Sequence, residues 1–124
     1  MDKIELQGRT KEFARRCLKL CQTLPENWIS RHLRSQLFRS ATSVAANYRS
    51  ACSAQSVKAF IQKLGIVVEE IDESMFWIEF IADHQLVNQK RLLSLLKEAK
   101  ELTAIFVASQ KTARRKNGKL KMEN

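Results

Sequence analysis

The sequence predicts an all-α protein that folds as a single-domain, up-down-up-down four-helix bundle. Its 124 residues include only one proline and three glycines, so few positions interrupt a helix. Four stretches repeat apolar side chains every three or four positions, which is the spacing of one helical face. Short connectors join these stretches, and short connectors place consecutive helices antiparallel. We assign residues 1–113 to the bundle and 114–124 to a basic, flexible C-terminal tail.

The first two helices are predicted over residues 6–23 and 28–52. Pro25 ends the first helix because its ring removes a backbone donor and cannot continue a helical turn. Asn27 is a typical N-cap residue and begins the second helix. Each of these two helices repeats apolar side chains along one face, which is expected to contribute to the core.

A run of small side chains distinguishes residues 37–49 of the second helix. Small residues let a neighbouring helix approach closely, and an amide beside them is placed to form a hydrogen bond across that contact. We interpret this stretch as a packing element without catalytic groups. Its helix-packing signature comprises Ser40, Ser43, Ala45, Ala46 and Asn47.

The third and fourth helices are predicted over residues 56–83 and 89–112. Late in the third helix, Phe76, Trp77 and Phe80 lie on the side opposite its apolar seam. A helix that is apolar all round is buried all round. We therefore predict that these three aromatic residues form an oligomer interface, the alternative being that neighbouring helices or a loop cover them.

The formal net charge of +9 is distributed unevenly along the chain. Residues 1–53 carry +6, residues 54–83 carry −4 and residues 84–124 carry +7. A basic excess favours a polyanionic partner such as the backbone of RNA or DNA, although it is also compatible with a role in solubility alone. The charged N-terminal residues and the lack of a long apolar run indicate a cytoplasmic protein with no membrane span.

Basic side chains on three parts of the chain are the candidate nucleic-acid contacts. On the first helix, Lys11, Arg15 and Lys19 are each four residues apart and are expected to line one outer ridge, with Arg16 beside it. We expect them to hold a phosphate backbone by charge and shape, with little base specificity, because no motif for reading bases is present. The alternative for any single position is a solvated helix face. The candidates are Lys11, Arg15, Arg16, Lys19, Arg31, Arg39, Arg49, Arg114, Arg115 and Lys116.

No pattern in the sequence indicates catalysis or a metal site. Cys17 and Cys21 share a helix face, and Cys52, His32 and His84 are the other conceivable ligands, but no CxxC or HxxxH spacing accompanies them. An odd number of cysteines on apolar faces is more typical of reduced core thiols. We therefore predict no metal, no cofactor and no enzymatic activity.

One cluster of carboxylates has two interpretations. Glu69, Asp72 and Glu73 are close together on the third helix and could form an acid/base or Mg²⁺ pair, but no nucleophile or histidine accompanies them. Ion pairing across a bundle or subunit contact is the favoured role. The candidate partners are Arg31, Arg39 and Arg49.

Five segments together carry a family resemblance that spans most of the chain. They are RTKEFARR at 9–16, LP at 24–25, QLFRSATSVAANYRSA at 36–51, FIQKLGIVVEEIDESMFWIEF at 60–80 and LTAIFVASQKTAR at 102–114. The chain resembles the four-helix bundle proteins encoded in intervening sequences of bacterial 23S ribosomal RNA genes. It is also similar to the accessory variability determinant of diversity-generating retroelements.

The resemblance implies a bacterial protein that assembles as a homopentamer and has no enzymatic activity. In the retroelement branch it implies binding of nucleic acid, and of a reverse transcriptase, through a positively charged surface. We thus expect a ring-forming, nucleic-acid-associated protein that binds RNA or DNA. The alternative is a protein-interaction scaffold or accessory subunit for a reverse transcriptase, without nucleic-acid affinity of its own.

Overall fold

Four long helices make up most of the chain. The structure, a computed structural model, describes residues 1–84 and 86–123, apart from the side chains at 120, 121 and 123. The helices are α1 (Lys3–Thr23), α2 (Trp28–Cys52), α3 (Val57–Asp83) and α4 (Gln89–Glu123). Consecutive helices pack against each other, and a smaller contact between α1 and α4 closes the bundle. The predicted all-α four-helix bundle is confirmed.

Short polar residues begin each helix, as expected for N-caps. The side chain of Asp2 accepts a hydrogen bond from the Glu5 backbone N–H at 2.8 Å. The predicted cap at Asn27 accepts from the Ser30 N–H at 2.8 Å, and Ser56 accepts from the Ala59 N–H at 3.1 Å. Each such cap contributes about 1 kcal/mol to helix stability.

The two ends of the chain are more helical than the sequence predicted. α1 begins at Lys3 rather than at residue 6, because the Asp2 cap lies further upstream than the apolar seam indicated. α4 continues to Glu123 rather than ending at residue 112, so the segment expected to be a flexible tail is helical over 114–123. Its lysines and arginines are good helix formers, and Gly118 costs only about 1 kcal/mol relative to alanine. Residue 124 lies outside the described residues.

The apolar stripes of all four helices meet in one continuous core. Phe13, Leu37, Leu64 and Phe106 are completely buried there. The rings of Tyr48 and Phe106 pack at 5.0 Å between their centroids and join α2 to α4. Complete burial of one such side chain contributes about 1.5–3 kcal/mol, so this core is the main source of stability.

The small residues of α2 meet α3 through a polar contact inside this core. The hydroxyl oxygens of Ser40 and Ser74 are buried and lie 2.9 Å apart, so one donates to the other. Asn47, by contrast, does not bond across a helix contact. Its side-chain amide donates within α2 to the Ser43 carbonyl and hydroxyl, both at 2.9 Å. The predicted cross-helix bond of Asn47 is wrong, because the carbonyl four residues earlier is already within reach.

Candidate functional site

The basic residues of α1 divide between two grooves on opposite sides of that helix. The sequence suggested one ridge formed by Lys11, Arg15 and Lys19, with Arg16 beside it. In the structure, Lys11 and Arg15 face α2, whereas Arg16 and Lys19 face α4. The single ridge is therefore wrong. Lys19 is eight positions from Lys11, which corresponds to about 80° of rotation around the helix axis. The two side chains therefore lie on either side of the most exposed line of α1.

The first groove lies between the C-terminal half of α1 and the N-terminal turns of α4. We call it the α1–α4 groove, and its volume is about 320 Å³. The buried side chains of Leu20 and Leu95 form its floor. Its walls consist of Arg16, Lys19, Lys90, Arg91 and Ser94.

Among the residues that the structure describes, no carboxylate forms an ion pair with these four cations. Within the described part of the chain, every ion pair involves Arg9, Arg15, Arg34 or Arg39. The Arg16 guanidinium donates to the Ser94 hydroxyl at 2.8 Å, which is a neutral partner. Lys90 and Arg91 also lie in the first turn of α4, where the helix dipole adds positive potential. Cations that repel one another across a groove favour the binding of an anion.

Nearer the N-terminus of α1, Arg9 forms ion pairs with Glu98 and Glu101 of α4. We call this group the charged clamp. The Arg9 guanidinium donates to both carboxylate oxygens of Glu98, at 2.9 and 2.6 Å, and to Glu101 at 2.7 Å. The hydrogen bond that Arg9 donates to Glu98 raises the pKa of Arg9 above its ordinary value. Among the pairs of helices that touch, α1 and α4 share the smallest contact, and this clamp is a polar link between them. It also engages two acidic residues of α4 that would otherwise offset the cations.

The second groove runs between α1 and α2 and has a different character. We call it the α1–α2 groove; its volume is about 330 Å³. Lys11, Arg15 and Arg49 lie at its rim, and Arg15 is paired with Glu12 at 3.2 Å. Its floor is made of small or apolar side chains, namely Ala14, Leu18, Phe38, Thr42, Ala45 and Ala46. The signature residues Ala45 and Ala46 therefore keep this groove open rather than packing under another helix of the same chain.

The remaining predicted basic residues lie elsewhere. Arg39 binds Glu73 and, at 3.3 Å, Glu70, so its charge is largely neutralised. The hydrogen bond to Glu73 raises the pKa of Arg39. The expected pairing of a second-helix arginine with these carboxylates is thus confirmed for Arg39 and Glu73, within one subunit. Arg31 is exposed in the first turn of α2.

Arg114, Arg115 and Lys116 are exposed near the far end of α4. At 1.5 Å per residue they lie roughly 35 Å along the helix axis from Arg91. They therefore cannot line the α1–α4 groove of the same subunit.

The sequence interpretation missed two residues of the α1–α4 groove. Lys90 and Arg91 were not among the candidates predicted from the sequence, which came from the first two helices and the C-terminal segment. The available signal was a pair of adjacent cations in the first turn of a predicted helix, where cations are unfavourable next to the helix dipole.

The three aromatic residues assigned to an oligomer interface have different environments. Phe76 is 53% exposed and Phe80 is 38% exposed, with their ring centroids 6.2 Å apart. Trp77 is half-buried: its indole N–H donates to Glu73 at 3.2 Å, and its ring packs edge-on against His32. Contacts within the subunit therefore cover part of Trp77, whereas Phe76 and Phe80 are more exposed, and the oligomer interface stays a prediction for all three.

The cysteines and histidines do not converge on a metal site. Cys17 and Cys21 are buried in the core, and burial raises the pKa of Cys21 to about 11. Burial also raises the pKa of Cys17. Among the residues that the structure describes, no three His, Cys, Asp or Glu side chains are close enough to hold a metal ion. In the same residues, no helix combines the length and apolar character needed to cross a bilayer.

Comparisons with known proteins agree on one family. Residues 2–108 match the family model described as 23S rRNA-intervening sequence protein. A crystal structure of a protein of unknown function, from the S23 ribosomal protein family of Bacteroides thetaiotaomicron, superposes with a TM-score of 0.82 at 28% identity. The match covers 90% of this chain and 99% of that one. No curated protein matches the sequence, and neither description names a catalytic activity. The chain belongs to the 23S rRNA-intervening sequence protein family.

Proposed function

We propose that this protein binds the phosphate backbone of RNA or DNA in the α1–α4 groove and has no catalytic role. The observation that carries the proposal is the set of four cations that line one groove without a carboxylate partner. A bound phosphate would relieve their mutual repulsion and accept hydrogen bonds from the guanidinium groups of Arg16 and Arg91. The Ser94 hydroxyl supplies a further donor at the same place.

The composition of the groove favours recognition of the backbone over recognition of bases. No aromatic residue lines it, so no platform for base stacking is present. Its cations are long and flexible, and none is fixed by a neighbouring carboxylate for bidentate reading of a base edge. We therefore expect similar affinity for different sequences and strong dependence on salt.

The family descriptions support a partner of this kind. One refers to an intervening sequence of 23S rRNA, and the other to a ribosomal protein family. Each name refers to the ribosome or to its 23S rRNA, and neither states what the proteins bind. A groove lined by four cations is compatible with a nucleic-acid partner in that setting.

Fluorescence anisotropy with a labelled RNA hairpin and a labelled DNA duplex tests the proposal. The wild-type protein should bind both at low salt. A variant with glutamine at all four groove cations should bind at least tenfold more weakly, because removal of four phosphate contacts weakens every sequence alike. The substitutions are Arg16→Gln, Lys19→Gln, Lys90→Gln and Arg91→Gln.

The far end of α4 supplies a matched control that also removes four exposed charges. Its substitutions are Lys111→Gln, Arg114→Gln, Arg115→Gln and Lys116→Gln. This control should keep most of the wild-type affinity. A larger loss in the control than in the groove variant would place binding at the far end of α4, around residues 111–116, instead of in the α1–α4 groove. If the wild-type protein bound neither probe at low salt, a protein-scaffold role would replace the proposed function.

A further inference from the structure

We infer that a cavity at one end of the bundle binds a small aromatic anion, that is, a flat ring system carrying a carboxylate, sulfonate or phosphate group. We call it the end cavity; it lies between the first turn of α1, the connector that joins α2 to α3, and residues 109–116 of α4. Its volume is about 570 Å³, against about 320 Å³ for the α1–α4 groove. That groove lies at the opposite end of the bundle, so the inference does not depend on the proposed binding of a phosphate backbone.

The apolar part of the end cavity has room for a ring system. Ala51, Val57, Phe60 and Ala113 form this part of the lining. Ala51 and Ala113 are buried, and their short side chains leave the space above them open. A cavity of about 150 Å³ is enough to bind benzene, so about 570 Å³ accommodates two joined rings and a charged group. Phe60 offers an aromatic surface for offset or edge-on packing against those rings.

Two lysines give the end cavity a positive charge. Within the described part of the chain, neither Lys3 nor Lys116 forms an ion pair. The ammonium nitrogen of Lys3 lies 5.3 Å from the centroid of the Phe60 ring, so this charge is held beside the apolar lining. The adjacent carboxylate, that of Asp2, is engaged as the cap of α1 by the Glu5 N–H. Cations without a counter-charge favour the binding of an anion.

Three hydroxyl groups are placed to orient the charged end of the ligand. The Ser56 hydroxyl oxygen accepts a hydrogen bond from the Ala59 N–H at 3.1 Å, which leaves its own proton free to donate. Ser109 and Thr112 add two more hydroxyls from α4. An apolar lining with a few convergent polar groups is typical of a small-molecule site.

The lining selects a ligand that has both a ring and a charge. A neutral ring would leave the two lysines without a counter-charge, and an inorganic anion would leave the apolar lining in contact with water. Lysine ammonium groups act as point charges, so they accept a carboxylate, a sulfonate or a phosphate alike. The chemical class is therefore an aromatic anion, whichever of these groups carries the charge.

A cysteine in the lining supplies a local readout of occupancy. Cys52 borders the end cavity and is half-buried, whereas Cys17 and Cys21 are 0% and 4% exposed in the core. In the folded protein a maleimide reagent should therefore react first with Cys52. Cys52→Ser should abolish this fast reaction, which assigns it to the end cavity.

Protection of Cys52 by three compounds tests the inference. Anilinonaphthalene sulfonate carries rings and a charge, phenylnaphthylamine carries the same rings without the charge, and inorganic phosphate carries charge alone. At about ten times its Kd, anilinonaphthalene sulfonate should slow the maleimide reaction of Cys52 about tenfold, because only the unoccupied cavity reacts. The other two compounds, at the same concentration, should leave the rate unchanged.

A matched pair of double variants tests the two lysines. Lys3→Gln with Lys116→Gln should raise the concentration of anilinonaphthalene sulfonate that half-protects Cys52 at least about tenfold, because two charge-assisted contacts are lost. Lys97→Gln with Lys100→Gln removes two exposed charges of α4 outside the end cavity and should leave that concentration unchanged.

Three results would overturn the inference. The first is dye fluorescence that rises without protection of Cys52, which would place the dye in another groove. The second is equal protection by phenylnaphthylamine, and the third is an equal effect of the two double variants. Loss of nucleic-acid binding, by contrast, would remove the proposed function and leave this site standing.

Discussion

Neutralising two of the four groove cations gives the proposed phosphate contact a quantitative test. Lys90 and Arg91 are exposed in the first turn of α4, so replacing both with glutamine leaves the core untouched. Glutamine is also a good helix former, and α4 should remain folded. The α1 wall, with Arg16 and Lys19, stays as it is.

The expected magnitude follows from counterion release. Each phosphate that a cation neutralises on duplex DNA contributes about 0.9 to the slope of log affinity against log salt. Four groove cations therefore correspond to a slope of about −3.6, and the double variant to about −1.8. Between 50 and 200 mM salt, affinity should fall about 150-fold for the wild-type groove but only about 12-fold for the variant.

Anisotropy titrations of a labelled duplex at several salt concentrations measure both slopes. Arg114→Gln with Arg115→Gln removes the same charge from the far end of α4 and should leave the slope close to the wild-type value. If the groove variant and this control changed the slope equally, net charge rather than the α1–α4 groove would account for binding. An unchanged slope in the groove variant would refute the assignment of Lys90 and Arg91.

Two further predictions concern stability. Arg9→Gln removes the hydrogen bonds to Glu98 and Glu101. The free energy of unfolding measured by urea denaturation should therefore fall by about 1–2 kcal/mol. An unchanged value would mean that the packing of α1 against α4 does not depend on the clamp. Cys21 has an ordinary pKa of 9.0, which burial raises to about 11, so the folded chain keeps a proton that the unfolded chain loses. The free energy of unfolding should therefore fall as the pH rises from 9 towards 11, by up to about 1.4 kcal/mol per pH unit from this thiol. Cys21→Ala should make the fall shallower in urea titrations at pH 8 and pH 10, and an identical pH dependence would contradict the burial effect.

Apolar spacing and capping residues made most of the fold predictable. The seams of four helices, the break at Pro25 and the cap at Asn27 are local features, and each acts through the backbone of its own segment. The end of α4 was not predictable in the same way. Beyond residue 112 the sequence has no apolar seam, proline or strong cap, so only weak helix propensity distinguishes a helix from a tail.

The candidate site was less predictable because it depends on which helices are neighbours. A helical wheel shows that Lys11 and Arg16 lie at different angles, but it does not show which angle faces α2 and which faces α4. That assignment depends on the handedness of the bundle. Neither the spacing of apolar residues nor the length of the connectors determines this handedness. The same limit applies to Trp77: a helical wheel places it opposite the apolar seam with Phe76, but it does not show the contacts that Trp77 makes with Glu73 and His32.

The most direct measurement of the central claim is residue-level mapping of a bound RNA hairpin by amide NMR. The Phe76→Glu variant, expected to be monomeric, keeps the α1–α4 groove and suits this measurement. Addition of the hairpin should shift the amide signals of Arg16, Lys19, Lys90, Arg91 and Ser94. The amide signals of residues 111–116 should remain unchanged. Shifts confined to residues 111–116, or to Lys11, Arg15 and Arg49, would contradict the proposal that the α1–α4 groove binds the phosphate backbone.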